Sequence, residues 1–104
     1  MTLENAKAAC QAEGAELGSV LDMETNKFVW DMVKSTGKAA WLGGYLPTGT
    51  STWKWVGHGE WAFANWKSGE PNGDGPCLEL RIEADNWNDG VCSWHRQYVC
   101  EKIA

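Results

Sequence analysis

Apolar positions in the first third of the chain recur at helical spacing. Thr2 stands ahead of Leu3, and Ala6, Ala9 and Cys10 follow on one face. That pattern predicts a helix from Leu3 to about Glu13, with Thr2 as its cap. Gly14 then occupies the position where a glycine often ends a helix. Leu17, Val20 and Leu21 read as a short apolar connection. Phe28, Val29, Met32 and Val33 return to helical spacing and predict a second helix, from Met23 or Glu24 to Ser35, ended by Gly37. Neither helix carries a polar arrangement suited to catalysis.

The pattern changes from Ala39 onward. Gly, Pro, Asn and Asp become frequent, and the apolar residues are mainly aromatic. Ala40-Trp41-Leu42-Gly43-Gly44 reads as a short buried strand. Trp53-Lys54-Trp55-Val56 alternates as a strand before a turn at Gly57-His58-Gly59. Residues 62–75 form a long loop, of the kind that is often functional in a small domain. Leu78, Leu80 and Ile82 alternate with Glu79 and Arg81, which predicts a strand over 77–82. Residues 85–90 are turn-rich, and Tyr98-Val99-Cys100-Glu101 is a terminal strand. Two helices followed by short strands and long loops indicate an α+β domain.

The chain has 104 residues, which is one domain's worth. A domain of this size has a modest core and gains from cross-links. Four cysteines, Cys10, Cys77, Cys92 and Cys100, suggest disulfides and an oxidising compartment. Four cysteines allow three pairings, and spacing alone does not choose among them. No C-x-x-C pair is present to suggest zinc. The net charge of −5 and the scattering of the nine basic residues argue against a nucleic-acid partner. No run approaches the roughly 18 apolar residues of a membrane span, so membrane insertion is not expected. Met1 leads directly into Thr2-Leu3-Glu4-Asn5 without a secretory leader, and the sequence reads as a trimmed domain. Eight tryptophans are read mostly as core, Trp66 among them, with Trp94 left open as a sugar-stacking platform.

Hard oxygen ligands gather in two short segments. One is Glu70-Pro71-Asn72, with Asp74 close by; the other is Asn88-Asp89, after Trp87. Calcium takes about six to eight oxygens from carboxylates, amides, backbone carbonyls and water. Four such side chains leave positions for ligand hydroxyls. A cis Glu70–Pro71 bond would turn the chain so that both flanking side chains face one point. The amides of Asn72 and Asn88 can offer oxygen to a cation while keeping NH₂ donors, and Glu70 and Asp89 supply acceptors. Vicinal sugar hydroxyls fit that order. Either segment alone would be an ordinary polar turn; together they make a site. His58 and His95 read as surface residues, because neither has a nucleophile and an orienting group near it in the sequence. Glu79, Glu83 and Asp85 read as solvated, with Glu79 able to flank the site.

These residues together resemble the C-type lectin domain, over essentially the whole chain. The matches are Trp41-Leu42-Gly43-Gly44, Trp53-Lys54-Trp55, Asn65-Trp66, Glu70-Pro71-Asn72, Cys77, Trp87-Asn88-Asp89, Cys92 and Tyr98-Val99-Cys100-Glu101, with Cys10 on the first helix. The resemblance implies disulfides Cys10–Cys100 and Cys77–Cys92, a cis bond at Pro71 and a calcium ion in the long loop. In this family Glu-Pro-Asn goes with mannose-type sugars bearing equatorial 3- and 4-hydroxyls, and Gln-Pro-Asp with galactose-type sugars. Two departures stand out. The family's usual Glu two residues before the cysteine is here Gly75, preceded by Asp74, a candidate replacement ligand. Between Gly44 and Trp66 the only acid is Glu60, so one calcium is expected. The family's first strand, ahead of the opening helix, is expected to be missing.

The resulting expectation is a secreted or extracellular calcium-dependent lectin domain. It would bind glycans or glycoproteins bearing mannose, glucose, GlcNAc or fucose, through Glu70, Asn72, Asn88 and Asp89. Single-site affinity of this kind is weak, so a homo-oligomer or a larger parent protein would supply avidity. The alternative is a C-type lectin-like domain that recognises a protein or ice surface without sugar binding. An enzyme, such as a glycosidase built on paired carboxylates, ranks below both.

Overall fold

The structure is a computed structural model and describes residues 1–57 and 59–102. The turn residue His58 therefore lies outside the described residues. Helix α1 spans Leu3–Ala12, and Thr2 caps it by accepting the Asn5 N–H. Helix α2 spans Met23–Lys34, and Asp22 caps it by accepting the Thr25 N–H at 2.8 Å. That hydrogen bond holds the Asp22 carboxyl below its usual range. The strands among the described residues are β1 (Ala15–Leu17), β2 (Ala40–Tyr45), β3 (Lys54–Trp55), β4 (Cys77–Leu80), β5 (Trp87–Gly90), β6 (Gln97–Tyr98) and β7 (Cys100–Lys102).

β1 and β7 form a small antiparallel sheet that brings the start and end of the chain together. The larger sheet runs β3-β2-β4-β5, with β6 added parallel to β2. Its two faces meet different helices. Leu78 and Leu80 of β4 join Leu42, Trp53, Trp55, Trp87 and the α2 residues Val29 and Val33 in one cluster. Leu3, Ala6 and Cys10 of α1 pack with Leu17, Trp41 and Cys77 in the other. Leu78 and Leu80 are fully buried, and each such side chain contributes about 1.5–3 kcal/mol. Disulfides Cys10–Cys100 and Cys77–Cys92 cross-link the fold.

Several expectations are corrected. The connection at Leu17 is the strand β1, because residues 15–17 find β7 as a partner. The turn-rich segment before Gly90 is the strand β5, held in a four-residue register against β4. The inward face of α2 is Asn26, Val29 and Val33, whereas Phe28 and Met32 are exposed. Asn26 is fully buried because its polar groups are satisfied. Its Nδ2 donates to the Asp85 carbonyl at 2.6 Å, and its Oδ1 accepts the Trp87 indole N–H at 2.8 Å. Asn65 Nδ2 donates to the same Asp85 carbonyl at 2.6 Å. Helix α2, the long loop and the entry to β5 are thus locked together just ahead of Asn88.

Candidate functional site

The long loop is aligned on β5 before it reaches the ligand candidates. Trp87 N–H donates to the Asn65 carbonyl and Lys67 N–H to the Trp87 carbonyl, both at 2.9 Å. Trp66 is half-buried there, with its ring 5.8 Å from that of Trp87 in an edge-on contact. The chain then turns, Glu70 N–H donating to the Lys67 carbonyl, and passes through a cis Glu70–Pro71 bond. Side chains alternate along β5: Trp87 and Asp89 are buried, and Asn88 turns to the other face, directly opposite Glu79 of β4.

Asp89 organises the loop from beneath. It is 1% exposed. Its Oδ1 accepts the Asn72 N–H at 3.2 Å, and its Oδ2 accepts those of Gly73 at 2.8 Å and Asp74 at 3.0 Å. The Asn72 Oδ1 accepts the Asp74 N–H at 3.2 Å. Glu70 hydrogen-bonds the Asp89 carboxylate, and its Oε1 is buried without a partner. Glu70, Asp74 and Asn88 line one open groove. Asn72 is exposed at the loop tip. The structure thus gathers all five candidates around one loop, with Asp89 behind it and Asn88 on the groove side.

The two central carboxylates divide their charge. Glu70 is raised above its usual range, first by its hydrogen bond to Asp89, then by burial and by the charges of Asp89 and Asp74; Lys67 opposes this. Burial pushes Asp89 up, but the hydrogen bonds from Glu70 and from the backbone of Asn72 and Gly73 win and hold it below its usual range. The opposed shifts mark a repulsion between the two carboxylates that a bound cation would relieve.

That arrangement suits a hard cation such as calcium. The donors are carboxylate and amide oxygens, with one buried carboxylate oxygen still without a partner. Among the described residues no three His, Cys, Asp or Glu side chains converge as a metal-holding group. Position 75 cannot contribute a side chain. A Cβ there would stand 2.1 Å from the Gly90 carbonyl oxygen. Asp74, at the groove edge, is the remaining acid of that turn.

Three neighbours complete the surroundings: Glu79, which the sequence places beside the site, Trp94, which it leaves open, and Arg96, which it does not single out. Glu79 is buried rather than solvated, 7% exposed, and lies 3.4 Å from Arg96 Nε. Burial raises the Glu79 carboxyl, and Arg96 opposes the shift. Trp94 is half-buried with the Arg96 guanidinium over its ring. Strict alternation along β4 did place Glu79 on the site side; its burial comes from residues near the chain's end, a tertiary effect. His95 is exposed, as is Glu83, whereas Asp85 is half-buried.

Comparison with known proteins gives a consistent family signal. Residues 1–102 match the Lectin C-type domain family. The chain is 27% identical over 108 residues to the galactose-specific lectin nattectin of Thalassophryne nattereri, covering 98% of this chain and 68% of that protein. It is 34% identical over 94 residues to ladderlectin of Oncorhynchus mykiss, covering 84% of this chain but only 50% of that protein. The cow C-type carbohydrate-recognition domain of CD23 superposes with a TM-score of 0.90 over 100% of this chain and 81% of that one. At 23% identity, that last likeness speaks for the fold alone.

Proposed function

The chain belongs to the C-type lectin domain family, and on that premise we propose that it is an extracellular calcium-dependent sugar-binding module for mannose-type glycans. The observation that carries this reading is the Glu70–Asp89 carboxylate pair, with its partnerless Glu70 Oε1, at the groove shared with Asn88. Family members and relatives are lectins, not enzymes, and the proposed role is binding without turnover.

Calcium, when bound, would supply a Lewis-acid centre for two vicinal sugar hydroxyl oxygens. Glu70, Asn72, Asn88 and Asp89 would hold it, with Asp74 as the fifth oxygen donor. The amide NH₂ groups of Asn72 and Asn88 would donate hydrogen bonds to the sugar hydroxyl oxygens, and the Glu70 carboxylate would accept them from the sugar O–H groups. This donor and acceptor order selects equatorial 3- and 4-hydroxyls, as in mannose, glucose, GlcNAc and fucose-type ligands. Nattectin is named galactose-specific, and in this chain the Glu-Pro-Asn order favours the mannose class instead. Glycoproteins bearing such sugars are the natural partners, and a homo-oligomer or larger parent would raise avidity.

The test is a glycan array in calcium and again in EDTA. Mannose-type signals are expected in calcium and none in chelator, and Asn72→Asp is expected to weaken them by exchanging a donor for an acceptor. Signals that survive excess EDTA, or an array silent in calcium while calcium still binds, overturn the proposal; the second outcome would favour a protein- or ice-binding role.

Acid is expected to oppose calcium. Glu70 is raised above its usual range, so as pH falls it takes up its proton before an ordinary glutamate would, and calcium must displace that proton. One competing proton lowers calcium affinity by at most about tenfold per pH unit below that pKa. Calcium titrations by calorimetry at stepped pH should show the fall together with proton release; an affinity constant from neutral into the acid range would contradict it.

A further inference from the structure

Helix α2 turns an apolar surface outward. Five large apolar side chains are exposed among the described residues, and four of them, Leu21, Met23, Phe28 and Met32, lie on α2 or just ahead of it. Single exposed apolar residues are ordinary, but a cluster marks a contact surface. Phe28 is the most exposed, at 65%. Val29 and Val33 are held in the core and Asn26 is hydrogen-bonded to Asp85 and Trp87, so the helix cannot roll to bury Phe28.

The charges beside this surface are ordered. At about 100° per residue, Glu24, Lys27, Asp31 and Lys34 fall on one flank of the outward face, and Phe28 and Met32 on the other. Lys34 is already steadied, by Asp31 at 2.9 Å and by the Trp30 ring, whose centroid is 4.3 Å from its Nζ. Two copies of α2 packed antiparallel about a two-fold axis near position 29 match this order. Lys27 then meets Asp31 of the second copy, and Glu24 meets Lys34 of the second copy. The apolar flanks close on each other at the same time, Phe28 beside Met32 of the second copy. A parallel pair would instead lay the charged flank of one copy against the apolar flank of the other. The contact is small: twelve residues make a helix about 18 Å long, and one of its faces offers less than the roughly 800 Å² per partner of a standard interface. It is therefore weak and reversible, and its exposed charges set direction more than strength. No α2 residue lines the groove of the candidate site, so both grooves stay open when the helices pair.

We propose that the outward face of α2 is a self-association surface, on which a second copy of this chain docks antiparallel. Phe28 and Met32 supply the apolar contact, and Glu24, Lys27, Asp31 and Lys34 fix its direction. The pairing stands whether or not the groove binds sugar; where it does, two grooves on one dimer give a multivalent glycan two points of attachment.

The experiment is sedimentation equilibrium of the whole chain, in calcium and in EDTA. Concentrations from about 20 μM to about 1 mM bracket the dissociation constant, on the order of 10⁻⁴ M, expected of so small a contact. The same dimerisation is expected with and without calcium. Phe28→Asp is expected to weaken it at least about tenfold, because a two-fold contact loses the ring twice. Lys27→Glu is expected to weaken it about fivefold, and Lys27→Glu with Asp31→Lys to recover it, since the second change restores opposite charges in the antiparallel register. Melting midpoints of all variants at low concentration are expected to be unchanged, as these side chains are exposed. A chain that stays monomeric at the highest concentration overturns the proposal and leaves this face to a different protein. Dimers indifferent to Phe28→Asp overturn it too, and failure of the double variant to recover overturns the antiparallel arrangement.

Discussion

Asp89→Ala is expected to abolish calcium binding and to destabilise the protein even without calcium. The buried carboxylate accepts three loop N–H groups, from Asn72, Gly73 and Asp74. Hydrogen bonds to charged groups contribute about 1.5–3 kcal/mol each where they are sheltered. The loop tip is open to water, which can take over part of that role, so a loss of about 2–4 kcal/mol is expected. Calcium affinity should suffer more, because the variant removes one donor and frees the segment that carries Asn72 and Asp74. Glu70 also loses the neighbour that raises it, and should titrate lower. Asp89→Asn keeps the shape but turns an NH₂ toward N–H donors, and should fall in between. Calorimetry with calcium, melting in EDTA and hydrogen exchange at residues 72–74 read the three effects. Calcium affinity unchanged in Asp89→Ala would remove Asp89 from the site.

The sequence made the helices legible because their signals are local. Thr2 at a cap and the spacing of Ala6 and Cys10 define α1 to within a residue at its far end. Spacing places the second helix equally well, but it does not fix which residues turn inward. Phe28 and Met32 are as apolar as Val29 and Val33, and hydrophobicity cannot say that a satisfied Asn26 belongs inside instead. Its partners, Asp85 and Trp87, are far along the chain. The strands show the same division. Residues 77–80 alternate and were found. Residues 15–17 and 87–90 were not, since Ala15-Glu16-Leu17 is too short to carry a period and Trp87-Asn88-Asp89-Gly90 is made of turn formers. Each is a strand only because a distant partner pairs with it.

The ligand candidates were legible for a different reason: hard oxygen donors on two segments are unusual regardless of fold. The division of labour among them was not. Nothing in Asn88-Asp89 says that adjacent side chains serve opposite faces, one in the groove and one under the loop. That follows from the strand, whose residues are turn formers in isolation. The burial of Glu79 is a separate, non-local matter, since Arg96 and Trp94 pack beside it from near the chain's end.

Removing the Cys10–Cys100 disulfide is expected to cost about 4–5 kcal/mol, and removing Cys77–Cys92 about 3 kcal/mol, if loop-closure entropy in the unfolded chain sets the scale. The first closes a sequence separation of 90 and the second one of 15. Domains of this size hold about 5–15 kcal/mol in all, so the Cys10→Ala/Cys100→Ala variant should approach the limit of folding. Function should follow the opposite order. Cys10 and Cys100 tie α1 to β7, where the β1–β7 pair already joins the chain's ends. Cys77 and Cys92 clasp the β4–β5 hairpin, in which Leu78 faces Asp89 and Glu79 faces Asn88. Cys77→Ala/Cys92→Ala should therefore lose more calcium affinity per kcal/mol of stability lost than the other pair. Denaturant unfolding and calcium calorimetry on both variants test the crossing. Equal stability losses would contradict the loop-length argument, and a larger calcium defect from the Cys10–Cys100 pair would mean that the site depends on the closure of the whole domain and not on its own hairpin.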